Sequence, residues 1–159
     1  MSVLKLLGVL LLTGSGIGGA CWLSGRASIA LSQVEGLLSL LRLIQLQVEC
    51  FAMPASSILA RCDRKLLRQC GYRGNDIPTD FRDFARQCEI ADPTAAEIFR
   101  TFAEEFGRGY REEQARGCEY SSGLLEERRA VLAEQLPMRK KLYSTLCVSG
   151  AVALMILFL

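Results

Sequence analysis

The sequence predicts an all-α protein, with an antiparallel bundle of about five or six helices between an N-terminal and a C-terminal transmembrane helix. Two observations carry this prediction. Apolar residues in the middle of the chain recur at intervals of three and four, and alternating strand-like runs are missing. In addition, residues 6–23 and 142–159 contain no charged side chain. We therefore expect an N-terminal transmembrane segment at 1–24, a helical bundle at 25–141 and a C-terminal transmembrane segment at 142–159.

The two uncharged runs are long enough to cross a membrane. Each has 18 residues, and a helix that rises about 1.5 Å per residue needs roughly 18 to 20 residues to cross a hydrocarbon core about 30 Å thick. Gly14 and Gly18 form a G-x-x-x-G surface of the kind that lets helix backbones approach closely in lipid, and Ser149 and Ala153 form a similar small-residue surface. We expect transmembrane packing at these four positions, and the alternative is contact with lipid alone.

Basic residues near the uncharged runs predict the orientation. Arg26 follows the first run, and Arg139, Lys140 and Lys141 precede the second, whereas Lys5 alone lies on the far side of either run. Lysine and arginine in short flanks are retained on the cytoplasmic side of a membrane. We therefore expect the middle segment to be cytoplasmic.

The first run has a second interpretation, as a cleaved signal peptide. Lys5, the apolar residues 6–12 and the small residues that follow them imitate the charged, apolar and small-residue regions of such a peptide. Cys21 after Gly19 and Ala20 also resembles a lipoprotein cleavage site. In that case the chain would be an extracytoplasmic lipoprotein or a secreted helical binding module.

The first helix of the bundle has a broad apolar face. It is expected to end near Met53, because Pro54 disfavours a helical conformation in the residue before it. The residues that mark the buried face are Leu31, Val34, Leu37, Leu38, Leu40, Leu41, Ile44 and Val48.

Proline and glycine positions divide the rest of the middle segment. A second helix is expected from Pro54 to Gly71, and residues 72–79 form the clearest turn. The apolar period restarts at Phe81. A helix then begins at Asp92, which precedes a first-turn proline, or at the capping box of residues 94–97. That helix carries Ile98, Phe102 and Phe106 at intervals of four.

The last predicted helix is long. The chain is expected to break at residues 107–109, where two glycines flank Arg108, and the helix starts near Tyr110. Pro137 is expected to kink it before the second uncharged run. Its apolar positions are Leu124, Leu125, Val131, Leu132 and Leu136.

Composition argues against several classes of function. The formal net charge is +2 and acidic residues alternate with arginines, which is not the polybasic pattern of a nucleic-acid-binding surface. Histidine is absent, and the seven cysteines contain no C-x-x-C pair, so an enzyme, a metal site and a redox motif are all disfavoured. The G-x-G-x-x-G match at 14–19 lies in an apolar run without a preceding strand. We expect no cofactor, no small-molecule substrate and reduced cysteines that act as small apolar side chains.

Adjacent glutamates near residues 104, 112 and 126 are expected to form solvated ion pairs, not a catalytic cluster. Neighbouring helix positions point about 100° apart, and Arg108 is within helical reach of Glu104 and Glu105. Arg116 has the same relation to residues 112 and 113. Arginine also suits protein interfaces. We predict a partner-docking surface next to the glycine break, at Arg108, Arg111, Glu112 and Arg116.

Several short motifs resemble one known family. A glycine-centred turn leads into a long helix with an early glutamine, and a basic stretch opens the final apolar run. These motifs are Phe106-Gly107, Gln114, residues 139–143, Leu146, Gly150 and, in the N-terminal half, residues 4–8, 46–49 and Met53-Pro54. Together they resemble the stage III sporulation protein AB family of endospore-forming bacteria. The chain departs from that pattern at Phe106, Gly109, Tyr110 and Cys147.

The resemblance implies a function without catalysis. The family is similar to the cytoplasmic helical domains of the type II secretion inner-membrane platform protein. It implies a platform that docks a hexameric ATPase, stage III sporulation protein AA, beside other subunits of a channel complex. The implied location is the mother-cell side of the outer forespore membrane, with the central domain in the cytoplasm.

Overall fold

The computed structural model of the chain describes residues 3–51 and 55–158, with side chains described for residues 25–50, 57–137 and 145. The all-α prediction is confirmed for this part of the chain. Its β-type pairing is a single isolated bridge between Tyr72 and Cys88. The helices are α1 (Val3–Phe51), α2 (Ala55–Arg61), α3 (Arg64–Gln69), α4 (Phe81–Gln87), α5 (Pro93–Glu105) and α6 (Arg111–Phe158).

The chain divides into two compact units. One consists of Met1–Ser28 with Ala133–Leu159, and the other is Ile29–Leu132. Helices α1 and α6 each contribute residues to both units. The predicted packing positions Gly14, Gly18, Ser149 and Ala153 all belong to the first unit and lie outside the residues whose side chains are described. That packing therefore stays a prediction.

Helix α1 is long and apolar enough to cross a membrane. Among the residues described in side-chain detail, the stretch that meets this criterion is Gly25–Cys50, and half of its apolar window is buried within the protein. Val34, Leu41 and Ile44 are fully buried there. The apolar character of this stretch is therefore explained by the core of the second unit. The predicted transmembrane runs at 6–23 and 142–159 lie outside the side chains that are described.

The core of the second unit follows the predicted apolar faces. Seven of the eight predicted positions of the first bundle helix are less than a tenth exposed, and the eighth, Leu31, is partly buried and packs against them. Phenylalanines from α4 and α5 complete the core. Phe81 packs edge-on against Phe106 with ring centroids 4.9 Å apart, and Phe84 packs edge-on against Phe99 at 5.6 Å. The periodicity of α5 predicted Phe102 and Phe106 but not Phe99, which is 1% exposed.

The predicted single helix from Pro54 to Gly71 is wrong, because two short helices occupy this stretch. Asp63 interrupts it as the N-cap of α3, where its Oδ1 accepts a hydrogen bond from the Lys65 backbone N–H at 3.0 Å. A side chain that caps the following turn favours a new helix start over continuation. Gly71 does end α3, with φ at +93°.

The remaining boundaries agree with the sequence. Asp92 caps α5 and accepts a hydrogen bond from the Ala95 N–H at 2.8 Å, so the Asp92 start is confirmed over the capping box at 94–97. Gly107 has φ at +88° in the predicted break. Pro137 lies inside α6, which continues to Phe158, and the kink expected at this proline stays a prediction. Helix α1 likewise continues from the predicted transmembrane segment into the first bundle helix.

Two ion pairs join α1 to α6 within the second unit. Arg42 lies 2.9 Å from Glu126, and Arg129 lies 3.2 Å from Glu35. The residue numbers rise on one helix as they fall on the other, so these parts of α1 and α6 run antiparallel. Both pairs are largely exposed.

Candidate docking groove

The predicted docking residues lie together at the start of α6. Arg108 is in the connection between α5 and α6, and Arg111, Glu112 and Arg116 are in the first turns of α6. All four are exposed. All four are therefore accessible to a partner, and docking at these positions stays a prediction.

The ion pairs predicted for this region are not formed. Among the described residues, neither Arg108 nor Arg116 lies within 4.0 Å of a carboxylate, so the pairs expected with the adjacent glutamates are wrong. Four of the five ion pairs described instead connect separate helices or loops, and the exception is Arg86 with Asp83 on α4. Holding two long exposed side chains in one geometry costs entropy that a surface pair barely offsets.

A groove of about 460 Å³ lies between α5 and the beginning of α6. Its volume is within the usual range for ligand sites, about 300 to 1,000 Å³. The α5 side presents two rows at intervals of four residues. One row is apolar and contains Ile98, Phe102 and Phe106, and the other contains Glu97, Thr101 and Glu105.

Two small residues lie at the middle of the α6 side of the groove. Gly117 and Ser121 are separated by one helical turn, and a Cβ atom at Gly117 would meet nothing within 4 Å. Ser121 is 7% exposed. Leu124 and the exposed ring of Tyr120 extend the apolar surface.

The turn before α6 is closed by its own side chains. Glu113 accepts a hydrogen bond from the Tyr110 backbone N–H at 3.0 Å, and Gln114 donates one to the Gly109 carbonyl at 2.8 Å. A glutamate at the third helical position therefore satisfies a donor that the helix itself leaves unpaired. The early glutamine of the family resemblance thus stabilises the turn at one end of the groove.

All the charged side chains that line the groove are acidic. Glu97, Glu105 and Glu113 line it, and no lysine or arginine does. In the described part of the chain none of these three carboxylates forms an ion pair. The exposed Arg108 and Arg116 are near it in sequence but are not part of its lining. The groove is therefore an apolar surface with an uncompensated acidic rim.

A buried ion pair fixes α5 against α6 beside this groove. Arg128 donates from Nε to Oδ2 of Asp92 at 2.9 Å and from Nη2 to Oδ1 at 2.7 Å. Asp92 is 5% exposed. Burial raises the pKa of Asp92, but the hydrogen bonds from Arg128 and Ala95 and the guanidinium charge together hold that pKa below its usual range.

The sequence predicted the cap at Asp92 but missed its partner. Only about a quarter of the Arg128 side chain is exposed, and its Nε and Nη2 both donate to Asp92. A buried carboxylate needs a charged partner. The need of a buried carboxylate for a cationic partner, together with the fifteen arginines of the chain, is the one signal in the sequence that points to a pair between an aspartate and an arginine.

The cysteines of the second unit pack as apolar side chains. Cys62, Cys70 and Cys118 are buried and free. Burial raises the pKa of Cys62 to about 11 and that of Cys118 to about 12, with a further contribution from Glu49 at Cys118. The described residues contain no group of three or more His, Cys, Asp or Glu side chains placed to hold a metal ion. The thiols are thus neutral at physiological pH and poor nucleophiles.

No protein family, curated protein or solved structure matches this chain. The groove and its charges are therefore interpreted from their own geometry.

Proposed function

We propose that the chain is a non-enzymatic membrane platform subunit of a sporulation channel complex. In this proposal two transmembrane anchors hold a cytoplasmic antiparallel helical bundle that docks a stage III sporulation protein AA-type ATPase. The setting is the mother-cell side of the outer forespore membrane, next to other channel subunits. The motifs at residues 106–114 and 139–150 support this choice over other membrane scaffolds.

The observation that carries the proposal is the extent of the two long helices. Helix α1 contains the whole first uncharged run and ends in the second unit, and α6 begins in that unit and ends in the second uncharged run. A platform needs its docking domain attached to the membrane without a flexible linker, and a continuous helix is stiffer than a Gly/Ser-rich linker. Helical connections at both ends meet this requirement.

The surface chemistry of the second unit supports docking over catalysis. Arg108, Arg111 and Arg116 are exposed and form no ion pair among the described residues, and the planar guanidinium suits contacts across protein interfaces. The thiols with raised pKa values are buried, and the described side chains contain no metal-holding group. We therefore place the ATPase contact at the start of α6.

Site-specific cross-linking in membranes tests this function. A photo-reactive amino acid at Arg108 or Glu112, in the full chain co-expressed with the ATPase, should give a cross-linked product, whereas the same amino acid at exposed Asn75 should not. No product at either Arg108 or Glu112, with both proteins folded and present, would remove the main support for ATPase docking.

A topology reporter separates this proposal from the exported module. Asn75 is exposed in the turn between α3 and α4, so a reporter inserted there should leave the core intact. A cytoplasmic signal is expected. An exported signal, together with a mature chain that begins at Cys21 or later, would establish the lipoprotein or secreted alternative instead.

A further inference from the structure

We infer that the groove between α5 and α6 binds a basic amphipathic helix of a partner protein. The inference does not rest on the identity of the ATPase, because it follows from the shape and charge of the groove alone. Cross-linking at Arg108 could fail while the groove still binds such a helix. The two ideas therefore have separate outcomes.

The two helical walls of the groove indicate that the bound segment of the partner is a helix. Both walls are helices, and the described residues offer no strand edge that an extended peptide could join. From Ile98 to Phe106 the apolar row of α5 rises about 12 Å, which matches two to three turns of a docked helix. A helix presents side chains at intervals of three and four to such a groove.

The residues at the base of the groove determine which apolar side chains a partner helix would need. Phe102 and Phe106 form the base of the groove, and Ile98 and Leu124 are each partly exposed above it. At Gly117 the wall has no side chain, and the space beyond it is open to 4 Å. One or two large aliphatic or aromatic side chains of a partner would fill this gap and remove apolar surface from water.

The glutamates at the rim of the groove determine the charge that a partner helix should carry. Glu97 and Glu105 stand eight residues apart on one side of α5, and Glu113 stands at the end of the groove. Since no cation of the described chain pairs with them, lysines or arginines flanking the apolar residues of a partner would complete the rim.

The test uses the full chain in nanodiscs of zwitterionic lipid and three synthetic 18-residue helices. The peptides share one pattern of leucines and differ only in the polar face, which is lysine, glutamine or glutamate. Fluorescence anisotropy of the labelled peptides, corrected for empty nanodiscs, gives the affinities. We expect the lysine peptide to bind at least tenfold more tightly than the glutamate peptide, and the difference to shrink when salt is raised. Equal affinities for all three peptides would contradict the inference that the groove binds a basic helix.

Two glycines of α6 provide a matched pair of variants. Gly117→Leu puts a side chain into the groove, whereas Gly123→Leu puts one on a different side of the same helix, and a Cβ atom at either position meets nothing within 4 Å. Leucine favours helix over glycine, so neither variant should unfold the protein. Gly117→Leu should weaken binding of the lysine peptide at least tenfold and Gly123→Leu should leave it unchanged. Equal effects of the two variants would overturn the groove as the binding site.

The rim is tested by neutralising it. The double variant Glu97→Gln with Glu105→Gln keeps side-chain size and leaves Glu113 to close the turn before α6. It should weaken the lysine peptide several-fold, reduce the salt dependence and leave the glutamine peptide unaffected. Unchanged binding of the lysine peptide would show that these carboxylates do not recognise the partner.

Discussion

Arg128 holds the buried carboxylate of Asp92 through two hydrogen bonds, at 2.9 Å to Oδ2 and 2.7 Å to Oδ1. The same Oδ2 accepts the Ala95 N–H at the first turn of α5. One side chain therefore caps α5 and binds α6. The position of α5, and with it one wall of the groove, depends on this pair.

Replacing Arg128 with methionine should destabilise the second unit strongly. The variant keeps much of the side-chain length but leaves a buried carboxylate without its counter-ion, which typically costs about 3 to 5 kcal/mol. Chemical unfolding of the full chain in detergent, followed by circular dichroism, measures the change. Arg129→Met is the control, because its pair with Glu35 is about half exposed and worth less than about 1 kcal/mol. Similar losses for both variants would contradict the special role of Arg128.

The Asp92 pair should also give the protein a specific loss of stability in acid. The folded-state pKa of Asp92 lies below the usual value, so its contribution is complete above the unfolded pKa of about 4 and is lost as pH falls through the folded pKa. The difference in unfolding free energy between the wild type and Asp92→Asn isolates this contribution from other carboxylates. That difference should be constant near neutral pH and should shrink below about pH 4. A difference that grows in acid would have the wrong sign.

Local patterns in the sequence determine most of the helix boundaries. Apolar spacing identifies the buried face of α1, and Asp92 and Gly107 mark where α5 begins and where the chain breaks after it. These signals act within a few residues. The split at Asp63 was missed because a short polar residue inside an apolar period can either continue a helix or cap a new one.

Contacts between distant parts of the chain could not be read from spacing. Asp92 and Arg128 are 36 residues apart, and Glu35 and Arg129 are 94 apart. Helical spacing predicted instead that Arg108 and Arg116 each pair with a glutamate about one turn away on the same stretch of chain. The groove was missed for the same reason. Phe102 on α5 and Gly117 on α6 line it together, and sequence spacing does not show that these two positions share one groove.

Gly71 should not tolerate a side chain. Its φ is +93°, and a Cβ atom there would lie 2.6 Å from the Glu89 carbonyl oxygen and 2.8 Å from Nε2 of Gln33. Gly71→Ala should therefore destabilise the second unit by at least about 1 to 3 kcal/mol, the usual cost of a left-handed conformation for a residue other than glycine. Gly123→Ala, in open space within α6, should stabilise it by up to about 1 kcal/mol. Thermal unfolding of both variants gives the comparison, and a neutral Gly71→Ala would contradict the close approach.

Gln33 should link α1 to the segment between α4 and α5. Its Nε2 donates to the Glu89 carbonyl and its Oε1 accepts the Ala91 N–H, both at 2.8 Å. Gln33→Leu should cost about 1 kcal/mol, because water can replace part of what is lost at this exposed edge. Hydrogen exchange at the Ala91 amide should become faster. In Gln45→Ala, which loses only an exposed bond to Glu49 on the same helix, that amide should keep its wild-type rate.

Thiol labelling should separate the cysteines by burial. Cys50 is exposed, whereas Cys70 is fully buried and its pKa is raised by burial and by the neighbouring Cys88 and Cys62. Because the thiolate is the reactive form, a maleimide at pH 7 should modify Cys50 first and Cys70 only when the protein unfolds. Half-buried Cys88, with a pKa of about 12 caused by burial, should also react slowly. Peptide mapping by mass spectrometry assigns each modification, and rapid labelling of Cys70 in folded protein would show that the core around α3 opens under native conditions.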